Sequence, residues 1–435
     1  MLTISSLRAA LEERLRPLAP ATRHAQQAPA ATASTARVEP LDWRAVVRRA
    51  AGLWLVTRVA LAIFTYYAVT YSNGYAHGPV AHDQPLLGAS LRQMLHAWQQ
   101  WDVHWYLTVV QQGYATPTSA AFFPLFPGLA RAVVWVLGSQ HALLAVMLVS
   151  NLATLLAFIG LGLFIAQEAG LETATRGIRL LAAYPLAFFL AAGYGDSLFL
   201  ALAVFALFFS RRGQWWWAAA CAFLAGMTRL TAVILILPLL WEYGRQCDWW
   251  RGGVWRGWLR DVPAVARLLA LAAAVPLSLG LIVLFFWRIF GDPKLILHVE
   301  EQVWHHHRMM PWSSLAEALG NFFASPFGSL QQAHISFDLV PVLLFGVLTV
   351  ALLRRMPVAF SLYMLGLLAL TVMSPITVAQ DLYISAGRYL LAAAPIFLVL
   401  ARWSRRPWLD TLLLATGFVV QAALLGQFLM GHWVV

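Results

Sequence analysis

Charged side chains are scarce in this sequence. Only 11% of its 435 residues are Asp, Glu, Lys or Arg, whereas 60% are hydrophobic. A soluble domain of this size could not cover its surface with so few charges. The composition therefore excludes a soluble globular protein and predicts a polytopic membrane protein.

Lysine and cysteine are almost absent. The formal charge of +11 rests on arginine, because Lys294 is the single lysine. In a membrane protein this bias indicates arginines at the cytoplasmic ends of helices rather than a surface that binds nucleic acid. The two cysteines, Cys221 and Cys247, give no disulfide framework.

The sequence also lacks the motifs of soluble nucleotide-dependent enzymes. It contains no GxGxxG motif, no P-loop lysine, no serine-hydrolase elbow and no βαβ pattern. An enzyme of this composition needs a lipid-carried donor that is reached from within the membrane. Residues 1–44 lack the early apolar core of a secretory signal and are rich in Ala, Arg, Pro and Ser. They predict a disordered cytoplasmic tail, with an organelle-targeting sequence as the alternative.

Apolar runs that could span a bilayer recur along the chain. Eleven qualify: 50–71, 142–166, 178–193, 196–210, 215–228, 230–243, 264–290, 338–353, 357–373, 388–401 and 409–430. The run 121–138 is ambiguous, because it contains Pro124, Pro127 and Arg131. If this run does not cross and the N-terminus is cytoplasmic, the arginine clusters between the other runs all lie in the cytoplasm. We therefore predict an all-α polytopic membrane protein with about eleven transmembrane helices and with 121–138 at the outer face.

This topology leaves two long segments on the outer side, 72–141 and 291–337, within a single domain of residues 45–430. Acids, histidines and isolated arginines collect on that side, whereas the other side holds repetitive arginine. Ionisable groups at membrane depth are costly unless they serve a site or a pathway. We therefore expect the outer face to carry the function.

Asp102 lies in the stretch "QQWDVHWYLTVVQQGY". Tryptophans and aliphatic residues recur at helical spacing through 87–113, which predicts a helix along the membrane surface. Asp102 lies on the polar side of that helix. Its carboxylate is a helix cap or salt-bridge partner, an ion ligand, or a catalytic base, and the spacing alone does not decide between these roles.

Isolated charges elsewhere on the outer side leave similar alternatives open. Asp196, in the turn "GYGDS", either caps the next helix or faces a substrate cavity. Arg229 and Arg388 either extend to the interface or bind a phosphate through the guanidinium fork. His305 and His306 belong to three consecutive histidines, which cannot all turn to one ion on a helix. Contacts with a phosphate or with sugar hydroxyls are therefore favoured over a metal.

Six motifs occur in order along the chain: "WDVHWYLTVVQQGY", "FFPLFPGLAR", "AYPLAFFLAAGYGDSLFL", "GMTR", "FGDPKLILHVEEQVW" and "ISAGRYLLAAAPIF". Over about residues 45–402 they resemble the motifs of the PIG-V-type mannosyltransferases, which belong to the GT-C glycosyltransferases. The resemblance implies a GT-C-like helical fold, a polyprenyl-phosphate sugar donor, a glycolipid or glycan acceptor, and inversion at the anomeric carbon.

The resemblance also assigns roles to residues. The catalytic acid residue of the family's first outer loop matches Asp102, which is then the general base for the acceptor hydroxyl. The expected substrate-binding residues are Trp101, His104, Tyr106, Asp196, Arg229, Asp292, His305, His306 and Arg388. Of these, the two arginines would stabilise the charge on the departing phosphate. No cofactor is expected, and metal independence is favoured because this loop has no DxD or ExD pair.

The expected protein is therefore an integral, multi-pass membrane glycosyltransferase. If it is bacterial, it lies in the inner membrane with its active site on the periplasmic face, among membrane lipids and away from nucleic acid. One alternative is a transporter or scramblase of lipid-linked sugars, although the paired repeats common in transporters are not found. The other is a non-catalytic subunit that binds a lipid-linked sugar for a partner enzyme.

Overall fold

The computed structural model describes residues 41–76, 90–248, 261–377 and 380–434. Within these ranges the regular secondary structure is helical, apart from one isolated antiparallel bridge between His306 and Ile376. The predicted tail, 1–44, lies outside the described residues except for its last four positions. The first helix begins at Trp43, so the expected boundary at residue 44 falls in its first turn.

The α-helices of the described residues are numbered here in chain order. Before residue 140 they are α1 (Trp43–Ala76), α2 (Leu91–Ala97), α3 (Asp102–Gln112) and α4 (Leu125–Leu137). The middle of the chain forms α5 (Ala142–Ala169), α6 (Leu171–Ala182), α7 (Asp196–Arg211), α8 (Trp215–Gly226) and α9 (Ile236–Gln246). The remainder forms α10 (Val262–Phe290), α11 (Leu295–Gln302), α12 (Pro311–Ala324), α13 (Leu330–Leu352), α14 (Val358–Met373), α15 (Ala386–Tyr389), α16 (Ala394–Trp403) and α17 (Pro407–Leu429).

Five helices within the described ranges are long and apolar enough to cross a bilayer, namely α1, α5, α10, α13 and α17. The segments Ala386–Ala392 and Ala394–Trp403, bent by 81°, make a sixth if they form one broken span. The other runs expected to cross are also helical but shorter, and α7 is buried along most of its length. A helix sheltered by protein needs fewer apolar residues than an isolated span. Among the described residues the structure therefore has five or six helices of spanning length, and the expected count of about eleven is reached only if the shorter helices are included.

Two stretches predicted as single helices are broken. The region 87–113 forms α2 and α3, because the chain turns between Trp98 and Trp101, where Trp101 has a φ of +51°. The run 178–193 stops being α-helical at Ala182. Pro185 follows closely, and the residue before a proline is disfavoured in the helical conformation. Both breaks adjoin an acidic residue of interest, since α3 begins at Asp102 and α7 begins at Asp196.

The core is built by close approach of small side chains. The residues Ala218, Ala222 and Ala225 are buried on α8, which packs against α10. At Gly226 a Cβ atom would lie only 1.9 Å from the Ser278 hydroxyl oxygen of α10, so the two helices meet where there is no side chain. Small residues at such contacts allow the van der Waals packing that holds membrane helices together. The buried cluster extends from α1 to the residues after α17 and holds both ends of the described chain in one body.

Candidate active site

Asp102 forms an ion pair rather than a helix cap. It is the first residue of α3, and the capping position before it makes no side-chain hydrogen bond. Arg388 donates from Nη1 to Asp102 Oδ2 over 2.8 Å. The two residues are 286 positions apart in the sequence, so the fold alone brings them together. The sequence left several roles open for Asp102, and in the structure it is a salt-bridge partner.

Arg388 is enclosed by aromatic rings. Its guanidinium carbon lies 5.0 to 5.5 Å from the ring centroids of Phe189, Tyr194 and Tyr389, within the range of a cation–π contact. Only 8% of the residue is exposed. Its Nε–H is buried and has no hydrogen-bond partner among the described residues. Because an unpaired buried donor is costly, this atom is suited to an acceptor that a ligand brings.

Asp196 and Arg229 form a second ion pair. Asp196 opens α7 but makes no capping hydrogen bond, so the predicted capping role is absent. Arg229, which has no acid nearby in sequence, finds its partner 33 residues away. The preceding Gly195 is required by close packing, because a Cβ atom there would lie 2.7 Å from the Tyr106 hydroxyl oxygen.

Tyr389 connects the two pairs. The Arg229 guanidinium carbon lies 5.0 Å from the Tyr389 ring centroid, and that of Arg388 lies 5.4 Å from it. The two carboxylates and two guanidiniums together carry no net charge. Arg388 is paired with Asp102 and Arg229 with Asp196, and both guanidiniums lie beside the Tyr389 ring. An anion that approached Tyr389 would meet both guanidiniums.

A cavity of about 280 Å³ opens beside these pairs. Its ionisable lining residues are Asp102, Arg229, Glu300, His306 and Arg388. The volume is near the lower end of the range for small-molecule sites, which begins at roughly 300 Å³. It therefore suits a polar headgroup better than a whole glycolipid.

Glu300 and His306 also line the cavity. His306 Nδ1 lies 2.9 Å from the carbonyl oxygen of Ser374, to which it donates, and its Nε2 lies 3.8 Å from Glu300 Oε2. Burial raises the pKa of Glu300, and the neighbouring His306 opposes this in part. Glu300 was not among the residues expected at the site. Nothing in the sequence distinguishes Glu300 from its neighbour Glu301, which is exposed in the structure.

Not all expected site residues reach the cavity. Trp101, Tyr106 and His306 line it with the acid and arginine residues, and Asp196 contributes through Arg229. The cavity wall does not include His104, Asp292 or His305. Across the described ranges, no group of three His, Cys, Asp or Glu side chains is arranged to hold a metal ion.

These three residues have other surroundings. His104 is exposed, and its Nδ1 lies 3.4 Å from Gln99 Nε2. Asp292 lies 2.7 Å from His298, and the backbone N–H of Lys294, 2.8 Å away, lowers the pKa of Asp292. His305 has a φ of +57°, and its carbonyl oxygen accepts from the backbone of Thr377. The structure thus separates them from the two ion pairs.

The turn that carries Arg388 packs against Asp338, which was not among the residues expected at the site. Asp338 is buried on α13, which packs against α15, and it lies close to the backbone N–H groups of Ser385 and Gly387. Ser385 in this turn has a φ of +66°. From the other side, the Tyr184 hydroxyl donates to the Gly387 carbonyl over 2.8 Å. The available signal was an acid at the very start of the apolar run 338–353, since such acids mark functional positions.

Part of the chain matches a known family. Residues 72–244 match the model of the MptA_B family, described as "alpha-(1->6)-mannopyranosyltransferase, N-terminal domain". This range contains Asp102, Asp196 and Arg229, but it is less than half of the 435-residue chain. No curated protein matches the chain.

Two solved structures match the chain at low sequence identity. ArnT from Cupriavidus metallidurans, bound to undecaprenyl phosphate, has 12% identity and a TM-score of 0.47, over 87% of this chain and 78% of that one. The Archaeoglobus fulgidus oligosaccharyltransferase, in complex with Zn and sulfate, has 12% identity and a TM-score of 0.38, over 85% of this chain and 53% of that one.

The family match agrees with the motif resemblance on the reaction class, which is glycosyl transfer. The long apolar helices agree with it on a location in a membrane. The chain is a membrane glycosyltransferase whose residues 72–244 are similar to those of α-(1→6)-mannopyranosyltransferases.

Proposed function

We propose that the protein transfers a hexose, with mannose the first candidate, from a polyprenyl-phosphate donor to a hydroxyl of a glycolipid or glycan acceptor. The transfer inverts the anomeric carbon and takes place at the cavity between Asp102 and Arg229. The observation that carries the proposal is the pairing of Asp102 with Arg388 in a cavity that also holds a second arginine. Such a site combines a base with cations for a phosphate.

Asp102 is the general base of this reaction. The acceptor oxygen attacks C1 of the donor sugar while the bond between C1 and the phosphate oxygen breaks, and the hydroxyl proton passes to the carboxylate. Arg388 engages Oδ2, so Oδ1 is the atom that receives the proton. The electron pair of the broken bond leaves with the polyprenyl phosphate.

Arg229 and Arg388 are the cations for that phosphate. A guanidinium offers five donors in a planar fork, and the pairs described above use only part of this capacity. The Nε–H of Arg388 is buried without a hydrogen-bond partner among the described residues, so a phosphate oxygen that reached it would satisfy it. Fixed cations at the point where negative charge develops stabilise the transition state without a general acid.

The donor class and the stereochemistry are tested together. The purified protein in detergent is incubated with radiolabelled mannose on polyprenyl phosphate, or with GDP-mannose, in the presence of methyl α-D-mannopyranoside or a total membrane lipid extract. We expect labelled product from the lipid donor alone, with an anomeric configuration opposite to that of the donor by NMR. Product from GDP-mannose alone, or retention of configuration, would overturn the proposal.

A further inference from the structure

The residues that follow α17 fold back against the cavity. Trp433 and Val434 line it together with Trp101, and Val434 is only 4% exposed. The rings of Trp101 and Trp433 meet edge to face, with centroids 4.6 Å apart and an angle of 83° between their planes. Neither residue is buried, since Trp101 is 37% exposed and Trp433 is 40% exposed. Two large ring surfaces therefore remain accessible at the cavity.

The backbone at Trp101 is held in an unfavourable conformation. Its φ of +51° with a ψ of −116° is an outlier for a bulky residue. Such strain persists where the surrounding structure enforces it, and it is concentrated at functional sites. Here the outlier is the residue directly before Asp102, and its ring meets that of Trp433.

We propose that Trp101 and Trp433 form an acceptor subsite that binds the apolar face of a pyranose ring. The proposal rests on the function proposed above and adds the chemical class of the acceptor to it. A pyranose presents C–H groups on one face and hydroxyls around its edge, so it needs an aromatic surface beside a polar group. The pair provides the surface, and Asp102 provides the polar group.

The position of the pair assigns it to the acceptor rather than to the donor. The donor phosphate is assigned to Arg229 and Arg388, which flank Tyr389. A base must lie within about 3 Å of the hydroxyl that it deprotonates. The tryptophan next in sequence to Asp102 is therefore beside the acceptor ring. A polyprenyl chain would also pack on tryptophan, and the test below distinguishes that occupant.

The experiment measures binding and transfer separately. Binding of methyl α-D-mannopyranoside is followed by saturation-transfer NMR, binding of polyprenyl phosphate by thermal shift, and transfer by steady-state kinetics with the radiolabelled lipid donor. The variants are Trp433→Ala, Trp433→Phe and, as a matched control, Trp135→Ala. Trp135 is 81% exposed on α4 and lies outside the cavity wall.

For Trp433→Ala we expect the glycoside Kd and KM to rise about tenfold, which corresponds to about 1.4 kcal/mol. We expect kcat and polyprenyl phosphate binding to stay within threefold of the parent. Trp433→Phe should recover part of the loss because it keeps a ring, and it also serves if the alanine variant does not fold.

Parental glycoside affinity in the folded Trp433→Ala or Trp433→Phe protein would overturn the acceptor subsite, and so would an equal loss in Trp135→Ala. A selective loss of polyprenyl phosphate binding would assign the pair to the lipid chain and would likewise overturn it. These results are distinct from failure of the proposed function, which would appear as absence of transfer in the parent protein.

Discussion

Arg388 is surrounded by Asp102 and three aromatic rings, which leaves it little freedom to move. A lysine at this position would keep the charge but lose the planar fork. We expect Arg388→Ala to weaken polyprenyl phosphate binding at least tenfold and Arg388→Lys to weaken it less, by thermal shift or fluorescence titration. Arg212→Ala is the control, because Arg212 lies beyond the far end of α7 and contacts the Phe208 ring. Equal affinity in all three variants would remove Arg388 from the phosphate site.

The pair of Asp196 and Arg229 should also contribute to stability. Asp196 is 7% exposed, so removal of Arg229 leaves a buried carboxylate without its cation. Breaking a buried pair on one side costs about 3–5 kcal/mol in typical cases. We expect Arg229→Ala to lower Tm more than the double variant Asp196→Asn, Arg229→Gln, which removes both charges together. A double variant that is no more stable than Arg229→Ala would argue against charge burial as the cause.

Glu300 gives the site a pH dependence of stability with a defined sign. Burial raises its pKa above the usual 4.5, with His306 and Arg229 opposing this in part. Between 4.5 and the raised pKa the folded state binds more protons than the unfolded state, so the free energy of unfolding falls as pH rises. We expect the Tm advantage of Glu300→Gln over the parent to grow from pH 4 to pH 8. The control Glu301→Gln alters an exposed neighbour and should not change the profile. Parallel curves for Glu300→Gln and the parent would contradict this.

At the scale of secondary-structure elements, α13 determines where Arg388 lies. Asp338 is buried against the turn at Ser385 and Gly387, so we expect its loss to loosen the segment that carries the arginine. We expect Asp338→Ala to weaken polyprenyl phosphate binding at least tenfold, as Arg388→Ala does, while the bilayer-spanning helices stay folded by circular dichroism.

The matched control for this variant lies on the same helix. Thr349 is 2% exposed, and its hydroxyl has no hydrogen-bond partner among the described residues. Thr349→Val therefore keeps the shape and should bind the lipid phosphate like the parent. If Asp338→Ala also binds like the parent, the turn is held by its other contacts, such as that of Tyr184.

Local features of the sequence predicted most elements but not their breaks. Apolar length and helical periodicity are properties of neighbouring residues, and each of the eleven runs contains a helix. The turn between Trp98 and Trp101 contains no glycine or proline to signal it, although Trp101 has a positive φ. The break after Ala182 did have a signal in the sequence, because Pro185 follows it. This proline lies within a continuous apolar run, which was read as one span.

On the scale of the whole molecule, the site depends on contacts that no local pattern records. The outer placement of the acids and arginines was predicted, but Asp102 and Arg388 are 286 residues apart and their pairing required the fold. The same holds for Trp433, which lies after the last helix and returns to the cavity beside Trp101. His104, Asp292 and His305 were also expected at the site, but they do not line this cavity.

The most direct test of the account is transfer by the Asp102→Asn protein. Asparagine keeps the shape of the side chain and removes its basicity, so stability and polyprenyl phosphate binding should change little. We expect the transfer rate to fall by a factor of at least about 10²–10⁴, the range typical of general-base catalysis. The measurement is product formation from radiolabelled polyprenyl-phosphate mannose by protein shown by thermal shift to be folded. A folded Asp102→Asn protein that binds the donor and transfers mannose at the parental rate would contradict the role of Asp102 as the base.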